Sequence, residues 1–81
     1  MILIMKTFWN YRVMRIQHHD KNDEYGVFEV YYNKDGSVDG WTEDAVRIYT
    51  DNIEEIEETL LKMQESLKKP ILDYQTGKEV K

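Results

Sequence analysis

The sequence predicts an α+β fold: a three-stranded antiparallel sheet in the order β-β-β-α, with one C-terminal amphipathic helix packed on one face. Two observations support this prediction. Three runs rich in aromatic and β-branched residues are separated by turn-forming segments. A fourth run follows, in which apolar residues recur every three or four positions. A chain of 81 residues has room for one hydrophobic core, so we treat residues 1–81 as a single domain.

Residues 9–19 are the first predicted strand. β-favouring side chains such as Trp9 and Tyr11 follow one another here without a glycine or proline. The alternation of apolar and polar residues breaks between Val13 and Met14. A β-bulge at this point and burial of the strand on both faces would each explain the break. The sequence leaves both explanations open.

Residues 25–33 and 38–49 are the second and third predicted strands. Both faces of the second are largely apolar or aromatic, which predicts a central position in the sheet. Between the two strands, Asp35 and Gly36 predict a tight turn, because glycine supplies the positive φ that short hairpins need. Gly40 marks a bulge or a kink in the third strand.

The helix is predicted for residues 53–68. Asn52 can cap its first turn, and Pro70 stops it. Glutamates in the first turns and lysines in the last turn complement the helix dipole. The apolar stripe of the helix is predicted to belong to the core, and it consists of Ile53, Ile56, Leu60, Met63 and Leu67.

Both ends of the chain are predicted to be the least ordered parts. Residues 1–7 begin with five apolar residues, which are too few for a membrane span, and we expect a short strand or a flexible end. Ile71, Leu72 and Tyr74 predict a docked segment or a short extra strand in the tail. Residues 75–81 are predicted to be flexible.

The composition narrows the class of protein. The chain has 16 acidic and 11 basic residues, a net charge of −5, which disfavours direct binding of nucleic acid. It has no cysteine, which excludes disulfides and thiolate metal sites. A reducing compartment is the simplest expectation for such a chain, so we expect a cytoplasmic protein that is not attached to a membrane.

The sequence shows no catalytic set and no cofactor motif, so we expect a protein that is not an enzyme and needs no cofactor. His18, His19 and Asp20 have the chemistry of metal ligands, but neighbouring strand residues point to opposite faces. We expect a polar strand end there. Glu29 is expected on a solvated face, paired with Arg12 or Arg15 across the sheet, rather than acting as a general acid.

A surplus of aromatic residues and an acidic helix start predict a protein-binding or regulatory module. Trp41 is interpreted either as a core plug, that is, a side chain that fills space in the core, or as an exposed anchor for a partner. The carboxylates between positions 51 and 58 form either a solvated face or a patch for a basic protein. The candidate partner-binding residues are Trp41, Tyr31, Tyr49, Asp51, Glu54, Glu55, Glu57 and Glu58. Unpaired sheet edges also make a homodimer a candidate.

Several blocks of the chain carry a resemblance to known sequences. They are Trp9-Asn10-Tyr11-Arg12-Val13-Met14-Arg15, Phe28-Glu29-Val30-Tyr31-Tyr32, Asp35-Gly36, Gly40-Trp41-Thr42-Glu43 and Lys69-Pro70-Ile71-Leu72. Together, over residues 9–74, they resemble a group of small uncharacterised bacterial proteins of about this length, a likeness that implies no particular activity.

By element order and helix entry, the chain is also similar to the HicB-like antitoxin domain. No functional residue carries over from this similarity. The acidic first turns of the helix favour an alternative function, an antitoxin-like or phage-type inhibitor. Such a protein would occupy a basic surface on a nuclease or a defence complex.

Overall fold

The structure is a computed structural model that describes residues 8–80, so the prediction for residues 1–7 lies outside the described residues. Within them the elements are β1 (Phe8–Ile16), β2 (Glu24–Tyr32), β3 (Val38–Trp41), α1 (Ile53–Glu65), a 3-10 turn (Ser66–Lys68) and β4 (Leu72–Asp73). The predicted α+β class and the helix are confirmed. The sheet has four strands rather than three, because the tail supplies the short extra strand.

The strands lie in the order β3-β2-β1-β4. β1 and β2 pair antiparallel along their whole length, from Phe8 opposite Tyr32 to Ile16 opposite Glu24. This pairing has no register shift, which excludes a bulge between Val13 and Met14, one of the two explanations left open by the sequence. The alternative fits the structure, because Met14 is fully buried on one face and Val13 is half-buried on the other.

β3 is shorter than the predicted strand of residues 38–49. Its register with β2 shifts between Tyr31 and Tyr32, beside Gly40, as the glycine predicted. Beyond Trp41 two backbone bonds to β2 remain, from Thr42 N to Glu29 O (3.0 Å) and from Val46 N to Val27 O (2.8 Å). Between these two bonds the segment after β3 advances four residues while β2 advances two. This mismatch breaks the regular ladder and ends the strand.

The core cluster lies on one face of the sheet and consists of Met14, Phe28, Val30 and Leu72. A segment that we call the C-terminal hairpin, residues 71–80, crosses this face. Backbone bonds from Asp73 N to Lys78 O (2.7 Å) and from Val80 N to Ile71 O (2.8 Å) hold the hairpin together. The Tyr74 ring packs 5.4 Å from the ring of Phe28. The hairpin therefore gives residues 75–80 a defined position on the sheet. The flexibility of these residues remains a prediction.

The helix begins as predicted but is not the cover of the core. The Asn52 side chain accepts hydrogen bonds from the backbone N–H groups of Glu54 (2.8 Å) and Glu55 (3.3 Å). α1 contacts β1 and buries none of its residues fully. Because the C-terminal hairpin already occupies the core face, the helix lies against β1 with one side.

The predicted apolar stripe of the helix is consequently divided. Ile56 and Met63 are half-buried. Ile53, Leu60 and Leu67 are 76%, 51% and 74% exposed, so their assignment to the core is wrong.

Candidate protein-binding surface

The outer ridge of the helix is formed by Ile53 and Leu60 of α1 and by Leu67 of the 3-10 turn that continues it. These residues are spaced by seven positions, which is nearly two helical turns, so they lie along one side of the helix. All three are more than half exposed. Ile56 and Met63, three positions after Ile53 and Leu60, turn partly away from solvent. The ridge is therefore a row of three apolar side chains that the described part of the chain leaves more than half exposed.

Carboxylates border the ridge at its N-terminal end. The five acidic residues predicted as a patch are all exposed: Asp51, Glu54, Glu55, Glu57 and Glu58. Among residues 8–80, none of them forms an ion pair with a cation. Glu55 accepts a hydrogen bond from the Thr50 hydroxyl (2.7 Å). Glu57 stands four positions after Ile53 and three before Leu60, so its charge lies beside the ridge.

The three predicted aromatic residues are not brought together. Tyr49, shortly before the helix, is 95% exposed. Tyr31 is half-buried, and its hydroxyl donates a hydrogen bond to Glu29 (2.7 Å). Trp41 packs against the core cluster, with its ring 6.2 Å from the ring of Tyr74. Of the three, Tyr49 alone adds exposed apolar area near the start of α1, and Trp41 fits the interpretation as a core plug.

Glu29 lies between two tyrosines on the sheet face opposite the core cluster. It pairs with Tyr11 across the strands, and the hydrogen bond from Tyr31 raises the pKa of that phenol above its ordinary value. Burial, and then the charge of Glu29, raise the pKa of Tyr11.

The predicted pairing of Glu29 with Arg12 or Arg15 is wrong. Arg12 lies on the other face, since it stands next to Tyr11 in the strand, and it donates hydrogen bonds to Tyr32 and Pro70. Arg15 lies further along β1, beside β4, and forms an ion pair with Asp73 (3.0 Å).

The histidine cluster ends β1 as a polar segment. His18 Nε2 lies 3.0 Å from Glu24 Oε1, and this hydrogen bond lowers the pKa of Glu24. His19 is exposed. Within the described residues, no group of three histidine or carboxylate side chains is placed to hold a metal ion.

The sequence did not reveal a groove between the helix and β1. Trp9, which is 43% exposed, and Tyr11 line a cavity of about 380 Å³ together with residues from the end of the helix, Lys62, Glu65, Ser66 and Lys69. The two sides of this groove are about 50 residues apart in the sequence. No local sequence pattern joins the two sides. The hint that the sequence offered was Trp9, a large aromatic residue at the start of the first predicted strand.

Comparison of the chain with protein-family profiles, with curated proteins and with solved structures found no significant match. In the described part of the chain, no helix combines the length and apolar character that a membrane crossing requires.

Proposed function

We propose that this protein is a small non-enzymatic binding module, in which the outer ridge of the helix docks on an apolar surface of another protein. The observation that carries the proposal is the exposure of Ile53, Leu60 and Leu67, at 76%, 51% and 74%. An amphipathic helix normally turns such a stripe towards its own core. Apolar side chains aligned on one exposed side of a helix are the anchors that a partner's groove can receive.

The charge around the ridge indicates the chemistry of the partner. The acidic patch formed by Asp51, Glu54, Glu55, Glu57 and Glu58 has no cationic partner within residues 8–80. A partner with an apolar groove rimmed by lysine or arginine would match both the ridge and the patch. Laying one face of a helix into a groove is a common mode of recognition. Complementary rim charges would mainly accelerate association.

A narrower version of this proposal is an antitoxin-like or phage-type inhibitor acting on a basic nuclease or defence complex. The observation that favours it is the same uncompensated group of five carboxylates. Surfaces that bind nucleic-acid phosphates are rich in lysine and arginine. An acidic helix would therefore compete for such a surface. The resemblance to small bacterial proteins is compatible with an inhibitor role. Both the resemblance and the role are proposals.

A second copy of the chain is the competing occupant of the ridge. In an antiparallel pair of helices, Leu60 would meet Leu60 of the partner, and the acidic patch would face Lys62 and Lys68 of the partner's last turns. This arrangement predicts a molecular mass that doubles with concentration in light scattering. A constant monomer mass agrees with a different protein as the partner.

The test is partner capture with crosslinking, compared between two matched leucine variants. Leu60→Asn removes the centre of the ridge, whereas Leu61→Asn changes a neighbouring leucine of similar exposure, 57% against 51%, that points away from it. We expect Leu60→Asn to weaken binding about tenfold or more, as for the centre of an interface, and Leu61→Asn to change it less than about threefold. Equal effects of both variants would refute docking through the ridge.

The electrostatic part is tested with Glu54→Gln combined with Glu57→Gln. We expect weaker binding and a smaller dependence on salt concentration, because two rim charges are removed. Asp39→Asn is the control, since Asp39 is exposed on β3, away from the helix. If the control and the double variant behave alike, the acidic patch has no part in recognition.

A further inference from the structure

Arg12 is the most deeply buried charged side chain among the described residues, with 8% exposed. Its guanidinium donates hydrogen bonds to the Tyr32 hydroxyl (2.9 Å) and to the carbonyl oxygen of Pro70 (2.7 Å). Its Nε is buried and has no hydrogen-bond partner. Within residues 8–80, no carboxylate lies within 4.0 Å of it. Neutral oxygens alone therefore face this charge, and an unbalanced cation in the interior is unfavourable.

Arg12 helps to line a cavity of about 490 Å³ between the β2–β3 turn and the C-terminal hairpin. Tyr32, Val38 and Leu72 contribute apolar surface to the wall of this cavity. It is an open depression rather than an enclosed cavity, and its volume lies in the range of small-molecule sites. It lies on the opposite face of β1 from Trp9 and Tyr11, so it is separate from the groove beside the helix.

Two charged side chains, Lys78 and Glu79, lie among the lining residues. Both residues are exposed, and neither forms an ion pair with the described part of the chain. The Ser37 hydroxyl, also in the lining, is already bonded to Asp35 (2.6 Å). The lining residues therefore include two cations, Arg12 and Lys78, against one carboxylate, in a chain whose net charge is −5.

The position of Arg12 is set in advance of any ligand. The Tyr32 hydroxyl accepts from Arg12 and donates its proton to Asn10 Oδ1 (2.7 Å), so the orientation of the phenol is determined. The Pro70 carbonyl holds the other end of the guanidinium. A charged group held in this way loses little conformational entropy when a ligand binds.

We propose that this cavity binds a small organic acid, with its carboxylate directed towards Arg12 and Lys78 and its apolar body against Val38 and Leu72. A planar guanidinium matches the geometry of a carboxylate. Glu79 at the same site repels any anion, so its charge weakens the binding of the carboxylate. The proposal is independent of the helix ridge, because it uses other residues on another side of β1.

The test is an NMR titration of the intact protein with benzoate and, as the uncharged analogue, benzamide. We expect benzoate to shift the Arg12 Nε–Hε signal and the backbone amides of Val38 and Lys78. Benzamide should bind at least about tenfold more weakly, since it cannot form the charge-assisted hydrogen bonds. Equal affinity for both compounds, or no benzoate shift at Arg12, would show that Arg12 serves only to hold Pro70 and Tyr32.

Two exposed variants sharpen the test without disturbing the core. Lys78→Ala should weaken benzoate binding by about threefold, and Glu79→Gln should strengthen it by a similar factor, as expected for single exposed charges. Neither variant should change the affinity for benzamide. If both variants shift benzoate affinity in the same direction, or neither shifts it, the assignment of the carboxylate to this cavity fails.

Discussion

Gly77 lies directly against the indole ring of Trp41. A Cβ atom at position 77 would come within 2.5 Å of the ring carbon Cζ3 and 3.0 Å of Cη2, and the residue has φ +75°. Both facts require glycine, because the ring leaves no space and L side chains rarely adopt this φ. Through this contact the C-terminal hairpin reaches from β4 at one edge of the sheet to β3 at the other.

Replacement of the glycines should therefore give a graded series. Gly77→Ala is expected to lower the free energy of unfolding by more than about 2 kcal/mol, because backbone strain of about 1–2 kcal/mol adds to the clash. Gly36→Ala has the strain (φ +90°) but nothing within 4 Å, so a loss of about 1 kcal/mol is expected. Gly40→Ala is expected to cost the least of the three, because a Cβ atom there has nothing within 4 Å and the residue has no positive φ. Urea unfolding checks the order, and equal losses at positions 77 and 36 would exclude the clash.

Two leucines distinguish the hairpin from the helix as the cover of the core. Leu72 is 2% exposed and Leu60 is 51% exposed. Leu72→Ala should cost about 2–5 kcal/mol, because it leaves a cavity next to Met14 and Phe28. Leu60→Ala should change the free energy of unfolding by about 0.5 kcal/mol or less, as surface substitutions do. A larger loss at Leu60 than at Leu72 in denaturant unfolding would contradict the fold.

The start of the helix depends on one side chain. Asn52 Oδ1 accepts from two backbone N–H groups, so Asn52→Ala should cost about 1 kcal/mol. Asn52→Asp is the matched control, since it keeps the accepting oxygen and should stay within a few tenths of a kcal/mol. Circular dichroism during urea unfolding measures both. Equal destabilisation by alanine and aspartate would show that capping is not the cause.

Asp73 should contribute to unfolding by acid. Its pKa is held below the ordinary value, first by the hydrogen bond from Arg15 and then by the backbone N–H of Gln75. Because the carboxylate has a lower pKa in the folded chain than in the unfolded one, it stabilises the fold above the unfolded pKa of about 3.9. This contribution disappears as the pH falls through the folded pKa.

The corresponding variant is Asp73→Asn, which can keep the backbone hydrogen bonds but loses the ion pair. We expect it to be less stable than the parent at neutral pH and to approach the parent below about pH 3.9. Urea unfolding as a function of pH measures this convergence. Asp39→Asn, an exposed acid on β3, is the control. A stability difference between Asp73→Asn and the parent that is independent of pH would contradict the ion pair.

Glu29 should control the ionisation of two tyrosines to different extents. Its hydrogen bond is the largest cause of the raised pKa of Tyr31, whereas burial is the largest cause for Tyr11. Glu29→Gln is therefore expected to lower the pKa of Tyr31 more than that of Tyr11. Phenolate absorbance, with Tyr31→Phe and Tyr11→Phe to assign each titration, measures the shifts. An unchanged pKa of Tyr31 would contradict the hydrogen bond.

The features that the sequence predicted correctly depend on residues close together in the chain. Asn52 begins the helix and Pro70 follows its end, because capping and the loss of a backbone donor act within one helical turn. Gly36 makes the turn between β2 and β3 for the same local reason. The acidic patch could also be placed on the surface from the sequence.

The tertiary structure decided which side of the helix is covered. Ile53, Leu60 and Leu67 have the periodicity of core residues, yet they are exposed, because the C-terminal hairpin packs on Phe28 and Trp41 in place of the helix. Only contacts between distant segments can settle this competition. The burial of Arg12, which depends on Tyr32 and Pro70, likewise has no local signal, because a charged side chain in a strand is expected to face solvent unless such distant partners surround it.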